Sequence, residues 1–316
     1  LVLRVLVPSH ELARRLDLPG VEPIVWHLND TAADAPPAQV LVTERPRNPQ
    51  HRARVSRIPG LEHVHLMSIG YEWVLEHLPA GVGLSNSRGA IEDATAEHCL
   101  ALVLAALRGM DTAVHRQREQ RWEPTWGASL HGARVLLLGY GGVGQEIERR
   151  LLPFKPAQLL PVARTARTLP DGTIVHGVDE LDSLLPHAEV VIVALPHTDD
   201  TQRLVNQGFL ARMRDGALLV NIGRGAVVDT PALLAELEAG RLRAALDVTD
   251  PEPLPAGHRL WQAPGCLITA HVGGNTHRVM ELVYDLALTQ VQALAAGTEA
   301  RNMIRAAAAS PQGRVR

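Results

Sequence analysis

Lysine is almost missing from the 316 residues. Lys155 is the only one, and 31 basic residues against 34 acidic ones leave a net charge of -3. Such a chain projects no broad positive field, which argues against nucleic acid as a partner. Cysteine is scarce too: Cys99 and Cys266 lie far apart and form no C-x-x-C pair. Neither a disulfide framework nor a metal site is expected, and reduced thiols in a cytoplasmic protein are. Long apolar runs are also lacking. The longest, Cys99 to Leu107, is too short to cross a bilayer. The opening LVLRVLVP stops at Pro8 with no small-residue cleavage site behind it, so it reads as a first strand and not as a signal peptide. No membrane role is expected.

What is present is a folding composition, 46% hydrophobic and 21% charged, in a chain long enough for two cores. Apolar runs such as VLRVLV, QVLVT, ARVLLLG, QLLPVA, VVIVALP, ALLVNIG and RAALDV alternate with helical patterns. Continuous apolar strands separated by helices indicate parallel sheets covered on both faces. About ten strands, with a fresh strand-turn-helix start near Ala133, predict an α/β chain of two doubly wound parallel-sheet domains. A long helix from Glu92 to Met110, ending near Gly109, joins them. A last helix runs from about Asn275 to Ala296, and the tail AAAASPQGRVR is expected to fray.

The start near Ala133 is chemically informative. An apolar strand enters Gly139-Tyr140-Gly141-Gly142-Val143-Gly144, and QEIERRLL follows with helical spacing. That is G-x-G-x-x-G between strand and helix, the context in which glycines let a pyrophosphate approach the helix N-terminus. An ordinary glycine-rich turn is the alternative. About 20 residues beyond the last glycine, a carboxylate normally holds the ribose hydroxyls of NAD. Here the chain reads Val162-Ala163-Arg164-Thr165-Ala166-Arg167, with no carboxylate in the segment. An arginine pair can embrace a 2'-phosphate, so NADP(H) is preferred and NAD(H) allowed, unless both arginines are merely solvated loop residues.

Three further strands end in polar groups suited to chemistry. They are LVNIGRG with Arg224, ALDVTDPEPLP with Asp247 and Glu252, and ITAHVGG with His271. Carboxyl ends of parallel strands are where open α/β sheets bind ligands.

With these motifs in place, the chain resembles the D-isomer-specific 2-hydroxyacid dehydrogenase family over nearly its whole length. The run is SIGYEWV, NSRGAIEDATAEHCLALVLAALR, LLLGYGGVG, VALPHTDDT, VNIGRGAVVD, ALDVTDPEPLP and HVGG, in family order. The resemblance implies a Rossmann cofactor domain, 92–272, inserted into a discontinuous flavodoxin-like substrate domain, 1–91 and 273–316, with substrate held between them. The implied reaction is hydride transfer between a nicotinamide and a small 2-keto or D-2-hydroxy acid, in the manner of the branch that reduces glyoxylate and hydroxypyruvate with NADPH.

The resemblance also assigns roles. Arg224 binds the substrate carboxylate and polarises the keto oxygen, for which a planar guanidinium fork is suited. His271 is the acid-base group. Glu252 hydrogen-bonds it, and a carboxylate beside an imidazole favours the protonated ring. In the formate dehydrogenase branch an amide takes the place of this glutamate, so Glu252 argues for hydroxy-acid chemistry. Ser68, Ile69 and Gly70 match the loop whose N–H groups meet the substrate carboxylate. The cofactor site is implied to comprise Gly139, Gly141, Gly142, Val143, Gly144, Arg164, Thr165, Arg167, Leu195, Pro196, Thr201, Ile222, Gly223, Asp247 and Gly273. His98, within the linking helix, is read as structural. Tyr71-Glu72 departs from the usual aliphatic-Asp pair, which leaves the substrate's identity open. A homodimer is implied, with Arg121, Trp122 and Trp126 as a packing arm. Two other readings stay open: a nucleotide-sensing scaffold similar to the corepressors of this fold, and a phosphoglycerate or phosphite dehydrogenase-like enzyme.

Overall fold

The computed structural model describes residues 2–29, 34–46 and 48–307, so most of the tail expected to fray lies outside the described residues. The strands are β1 (Leu3–Val7), β2 (Val21–Val25), β3 (Val40–Thr43), β4 (His63–Leu66), β5 (Gly83–Asn86), β6 (Arg134–Leu138), β7 (Gln158–Ala163), β8 (Arg167–Thr168), β9 (Ile174–Gly177), β10 (Val190–Val193), β11 (Leu218–Asn221), β12 (Arg243–Leu246), β13 (Cys266–Ile268) and β14 (Met303–Arg305). The helices are α1 (His10–Arg15), α2 (Glu72–Leu75), α3 (Glu92–Arg108), α4 (Met110–Arg118), α5 (Gly142–Leu151), α6 (Leu181–Leu184), α7 (Gln207–Arg212), α8 (Thr230–Glu238) and α9 (His277–Ala295).

The chain divides into two compact units, Leu1–Ile91 with Thr276–Arg316, and Glu92–Asn275. In the first, six strands are ordered β14-β5-β4-β3-β1-β2, all parallel except β14. Its parallel part has the flavodoxin-like order. In the second, eight strands are ordered β13-β12-β11-β10-β6-β7-β9-β8 and only β8 is antiparallel. The order reverses between β6 and β10, the dinucleotide arrangement, and ligands bind at the carboxyl ends of strands beside such a reversal.

The packing of this second sheet follows from its sequence. Val135 and Leu137 of β6 enter one apolar cluster with Val190 and Ile192 of β10, while Leu136 and Leu138 enter another with Val191 and Val193. Alternate side chains go to opposite faces, so a strand covered on both faces must be apolar throughout. Helix α3 covers one face with Ala96, Cys99, Leu100, Val103 and Leu107. Gly109, at φ 61, stops it in a left-handed cap. Helix α4, which the sequence pattern does not announce, follows at once and buries none of its residues. Both cysteines are free, and burial pushes the Cys266 thiol up to about 12 and Cys99 higher still. No helix among the described residues is long and apolar enough to cross a membrane, and no cluster of metal-ligating side chains occurs among them.

Candidate active site

The strand ends at the β6/β10 reversal are shaped by glycine. Gly139 leaves β6 at φ 108, and a Cβ there would meet Ala194 O at 2.6 Å. A Cβ on Gly144 would meet Gly139 O at 2.3 Å, whereas one on Gly141 would meet nothing within 4 Å. Two glycines thus permit close backbone packing, and the middle one leaves open space at the N-terminus of α5. Gly141 caps α5 without a side-chain bond, which leaves the first turn's N–H groups for an anion. This cradle fits a pyrophosphate, and Gly142 and Val143 form the first turn beside it.

Beyond β7, Arg164 and Thr165 are exposed, and Asp200 stands 3.7 Å from Arg164 Nη2. The segment itself carries no carboxylate, but the loop after β10 brings Asp200 to it. Arg167 Nη2 donates to Tyr140 O at 3.3 Å, tying this segment to the glycine turn. The turn after Leu195 is closed on itself: Thr201 Oγ1 donates to Pro196 O at 2.7 Å and accepts from Thr198 N at 2.8 Å.

Arg224 follows β11. Asn221 folds its turn, donating from Nδ2 to Arg224 O at 3.0 Å and accepting from Gly223 N at 3.1 Å. A Cβ on Gly223 would meet Leu195 O at 2.4 Å, and one on Gly225 would meet Thr249 O at 1.9 Å. The Arg224 turn, with Ile222 bonded to Val193 O, therefore lies directly on the segment that leads to Glu252. The half-buried Arg224 guanidinium donates from Nη1 to Gly223 O at 2.7 Å.

His271 follows β13, and its Nδ1 is 2.8 Å from Glu252 Oε1. Its φ of 53 is in the left-handed region, where a side chain other than glycine costs about 1–3 kcal/mol unless the surroundings impose it. Asp247, at the end of β12, imposes it. Asp247 O accepts from His271 N at 2.7 Å, Oδ1 accepts from Val272 N at 2.9 Å and Thr269 Oγ1 at 2.6 Å, and Oδ2 accepts from Gly273 N at 3.0 Å. His98 of α3 adds a fifth contact, with Nε2 3.1 Å from Oδ1. Burial alone would raise the Asp247 pKa, but bonds from His98, Thr269, Val272 and Gly273 outweigh it and hold the carboxyl below the usual range. Asp247 is thus the anchor of the His271 loop, a job the sequence reading did not give it.

The family model for the D-isomer specific 2-hydroxyacid dehydrogenase NAD-binding domain matches residues 100–273. The chain belongs to the D-isomer-specific 2-hydroxyacid dehydrogenase family. It is an NAD(P)-dependent oxidoreductase of small 2-keto and 2-hydroxy acids. A human glyoxylate reductase/hydroxypyruvate reductase is 31% identical over 242 residues, 74% of each chain. Among solved structures, the TT0316 protein from Thermus thermophilus is 32% identical with a TM-score of 0.81, covering 96% of this chain and 100% of that one. An NADPH-dependent glyoxylate/hydroxypyruvate reductase from Sinorhizobium meliloti is 25% identical with a TM-score of 0.80, covering 96% and 97%.

Within this dehydrogenase, the structure bonds His271 to Glu252 and lays the Arg224 turn against the same segment. Ser68, Ile69 and Gly70 belong to the other unit, at the end of β4. His98, read from sequence as structural, proves to grip Asp247 and Thr269, and its ring lies 3.8 Å from the position a Gly273 Cβ would take. No local signal announces this, because the partners lie 149 and 171 positions away along the chain.

Proposed function

We propose that this dehydrogenase reduces a small 2-keto acid of the size of glyoxylate or hydroxypyruvate to the D-2-hydroxy acid, preferring NADPH. The observation that carries the reading is the 2.8 Å bond between His271 Nδ1 and Glu252 Oε1, at strand ends of the unit that holds the glycine turn. With Nδ1–H given to Glu252, His271 presents Nε2 to the substrate oxygen and passes it a proton. Arg224 holds the substrate carboxylate and polarises the keto group, and the N–H groups of the Ser68–Gly70 loop, in the other unit, are suited to a carboxylate. The nicotinamide, when bound, supplies the hydride.

Gly139 to Gly144 cradle the pyrophosphate, while Arg164, Thr165 and Arg167 receive the 2'-phosphate. Leu195, Pro196, Thr201, Ile222, Gly223 and Gly273 line the remainder, with Asp247 behind them. The unit made from both chain ends is accordingly the substrate unit, and the inserted one the cofactor unit. Trp122 and Trp126 are each 100% exposed, which supports a homodimer joined through this arm, and sedimentation tests it.

A screen of 2-keto acids against NADPH and NADH oxidation tests the reaction, with His271→Gln as control. Turnover that falls by about 100-fold or more in the variant supports it. No turnover of any 2-keto acid ends it. A marked preference for NADH ends the cofactor half.

A further inference from the structure

We infer that Asn86 is a positioning residue that aims the carboxylate-binding N–H groups of the Ser68–Gly70 loop. The inference rests on the reading of that loop given above and adds the residue that shapes it. Strand β5 runs parallel to β4 with Asn86 opposite Leu66, so Asn86 sits beside the exit of β4. Its Nδ2 donates to Ile69 O at 2.7 Å and its Oδ1 accepts from Arg88 N at 3.3 Å. Both ends of the amide are engaged, which fixes the way it faces. The neighbouring carbonyls are held as well: Ser68 O accepts from Ser87 N at 3.1 Å, and Gly70 O from Ser68 Oγ at 2.9 Å.

Peptide geometry converts these bonds into a direction. In a trans peptide the C=O and the following N–H point opposite ways. Drawing Ile69 O toward Asn86 therefore turns Gly70 N–H away from β5, and drawing Ser68 O toward Ser87 does the same to Ile69 N–H. Neither N–H has an acceptor among the described residues, although the loop is half-buried. Successive N–H groups freed in this way form a concavity for an anion such as a carboxylate.

The base of the device is rigid. Asn86 is only 3% exposed, so water does not compete for its donor. Behind it Ser87 Oγ donates to Leu66 O at 2.9 Å and lies 3.4 Å from His65 Nε2. Ser85 Oγ then bridges His65 Nδ1 at 2.9 Å and His63 Nε2 at 2.8 Å. A buried polar ladder of this kind fixes β4 and β5 in register up to the loop.

The test is steady-state kinetics of Asn86→Leu, which keeps volume and removes the donor, with glyoxylate and hydroxypyruvate as probes. NADPH affinity is measured separately by fluorescence titration. KM for the keto acid is expected to rise by about tenfold or more, the size of one lost hydrogen bond to an ordered site, with kcat, its pH profile and NADPH affinity held. A merely structural role lowers the active fraction, which reduces kcat and leaves KM alone. Should Asn86→Leu fail to fold, Asn86→Ala carries the same test. An unchanged KM in a folded variant overturns the inference. A wild-type protein that turns over no 2-keto acid brings down the underlying reading, and the inference with it, before any variant is made.

Discussion

His98 Nε2 stands 3.1 Å from Asp247 Oδ1 and 3.0 Å from Thr269 Oγ1, so one residue of α3 is tied to both ends of the segment that positions His271. Asp247 in turn takes the N–H groups of Val272 and Gly273 on its carboxylate and that of His271 on its carbonyl. The left-handed conformation of His271 is thereby over-determined, which is how a strained backbone position persists.

Asp247→Asn should expose this dependence. The amide has the same shape, but its NH2 must face at least one of the donors now bonded to the carboxylate. Hydrogen bonds to a charged acceptor contribute about 1.5–3 kcal/mol each, so urea unfolding at pH 7 should show a loss of about 2–4 kcal/mol. The sign with pH follows from the depressed carboxyl. Its stabilisation is present above the ordinary Asp pKa of about 3.9 and fades as pH falls toward the folded value. The variant should lack that acid-side fall, and equal stability of the two proteins at pH 7 would show that the network is not needed.

His63 and His65 act in a higher pH window. Burial lowers His63 to about 4, and burial together with the nearby His63 lowers His65 to about 3, both from 6.5. The unfolded chain therefore binds more protons than the folded one between these values. Stability should fall as pH drops below 6.5 and keep falling until about 4, at up to about 1.4 kcal/mol per pH unit for each histidine. The double variant His63→Gln, His65→Gln should flatten the dependence of the urea midpoint on pH between about 7 and 5. A wild-type slope in that variant would place the acid sensitivity elsewhere.

Much of this architecture was legible because its signals are local. Strands β10 and β11 are apolar and buried at almost every position, and the glycine turn carries its context within one strand and one helix. His271 and Glu252 were readable from their motifs, and they lie 2.8 Å apart. Strand β5 was not readable, since GLSN buries Ser85 and Asn86, whose partners lie on other segments. Helix α4 was missed because a helix with no buried residue has no apolar stripe to read. The approach of Asp200 to Arg164 depends on the fold of two separate loops, which spacing along the chain does not report.

That approach leads to a prediction about the cofactor. On the proposed reading, in which Arg164 receives the 2'-phosphate, Asp200 would compete for its exposed guanidinium and repel the phosphate. Arg164→Ala should cut kcat/KM for NADPH by about tenfold while leaving NADH within about twofold. Asp200→Asn should move NADPH in the opposite direction, lowering its KM. Parallel assays with both cofactors read the two effects, and equal losses with NADPH and NADH in Arg164→Ala would remove the arginine from phosphate recognition.

Glu252→Ala removes the acceptor of His271 Nδ1, and with it the bond that fixes the ring. A fall in kcat of about 100-fold is expected. Glu252→Gln retains an acceptor without the charge, so it should fall between alanine and wild type. A glutamine variant as active as wild type would mean that orientation alone suffices.

Gly225→Ala tests whether the Arg224 turn must lie against the Glu252 segment. The added Cβ would fall 1.9 Å from Thr249 O and 2.8 Å from Asp250 N, both backbone atoms. That segment cannot retreat freely, because Thr249 Oγ1 donates to Pro251 O at 2.9 Å and Thr230 Oγ1 to Asp250 O at 2.7 Å. Overpacking of this kind costs about 1–3 kcal/mol or more. The activity loss should exceed what unfolding explains, since the same displacement moves Arg224 relative to the loop carrying Glu252. Melting temperature and kcat/KM measured on one preparation separate the two effects, and a variant that keeps both at wild-type values would refute the close approach of the two backbones.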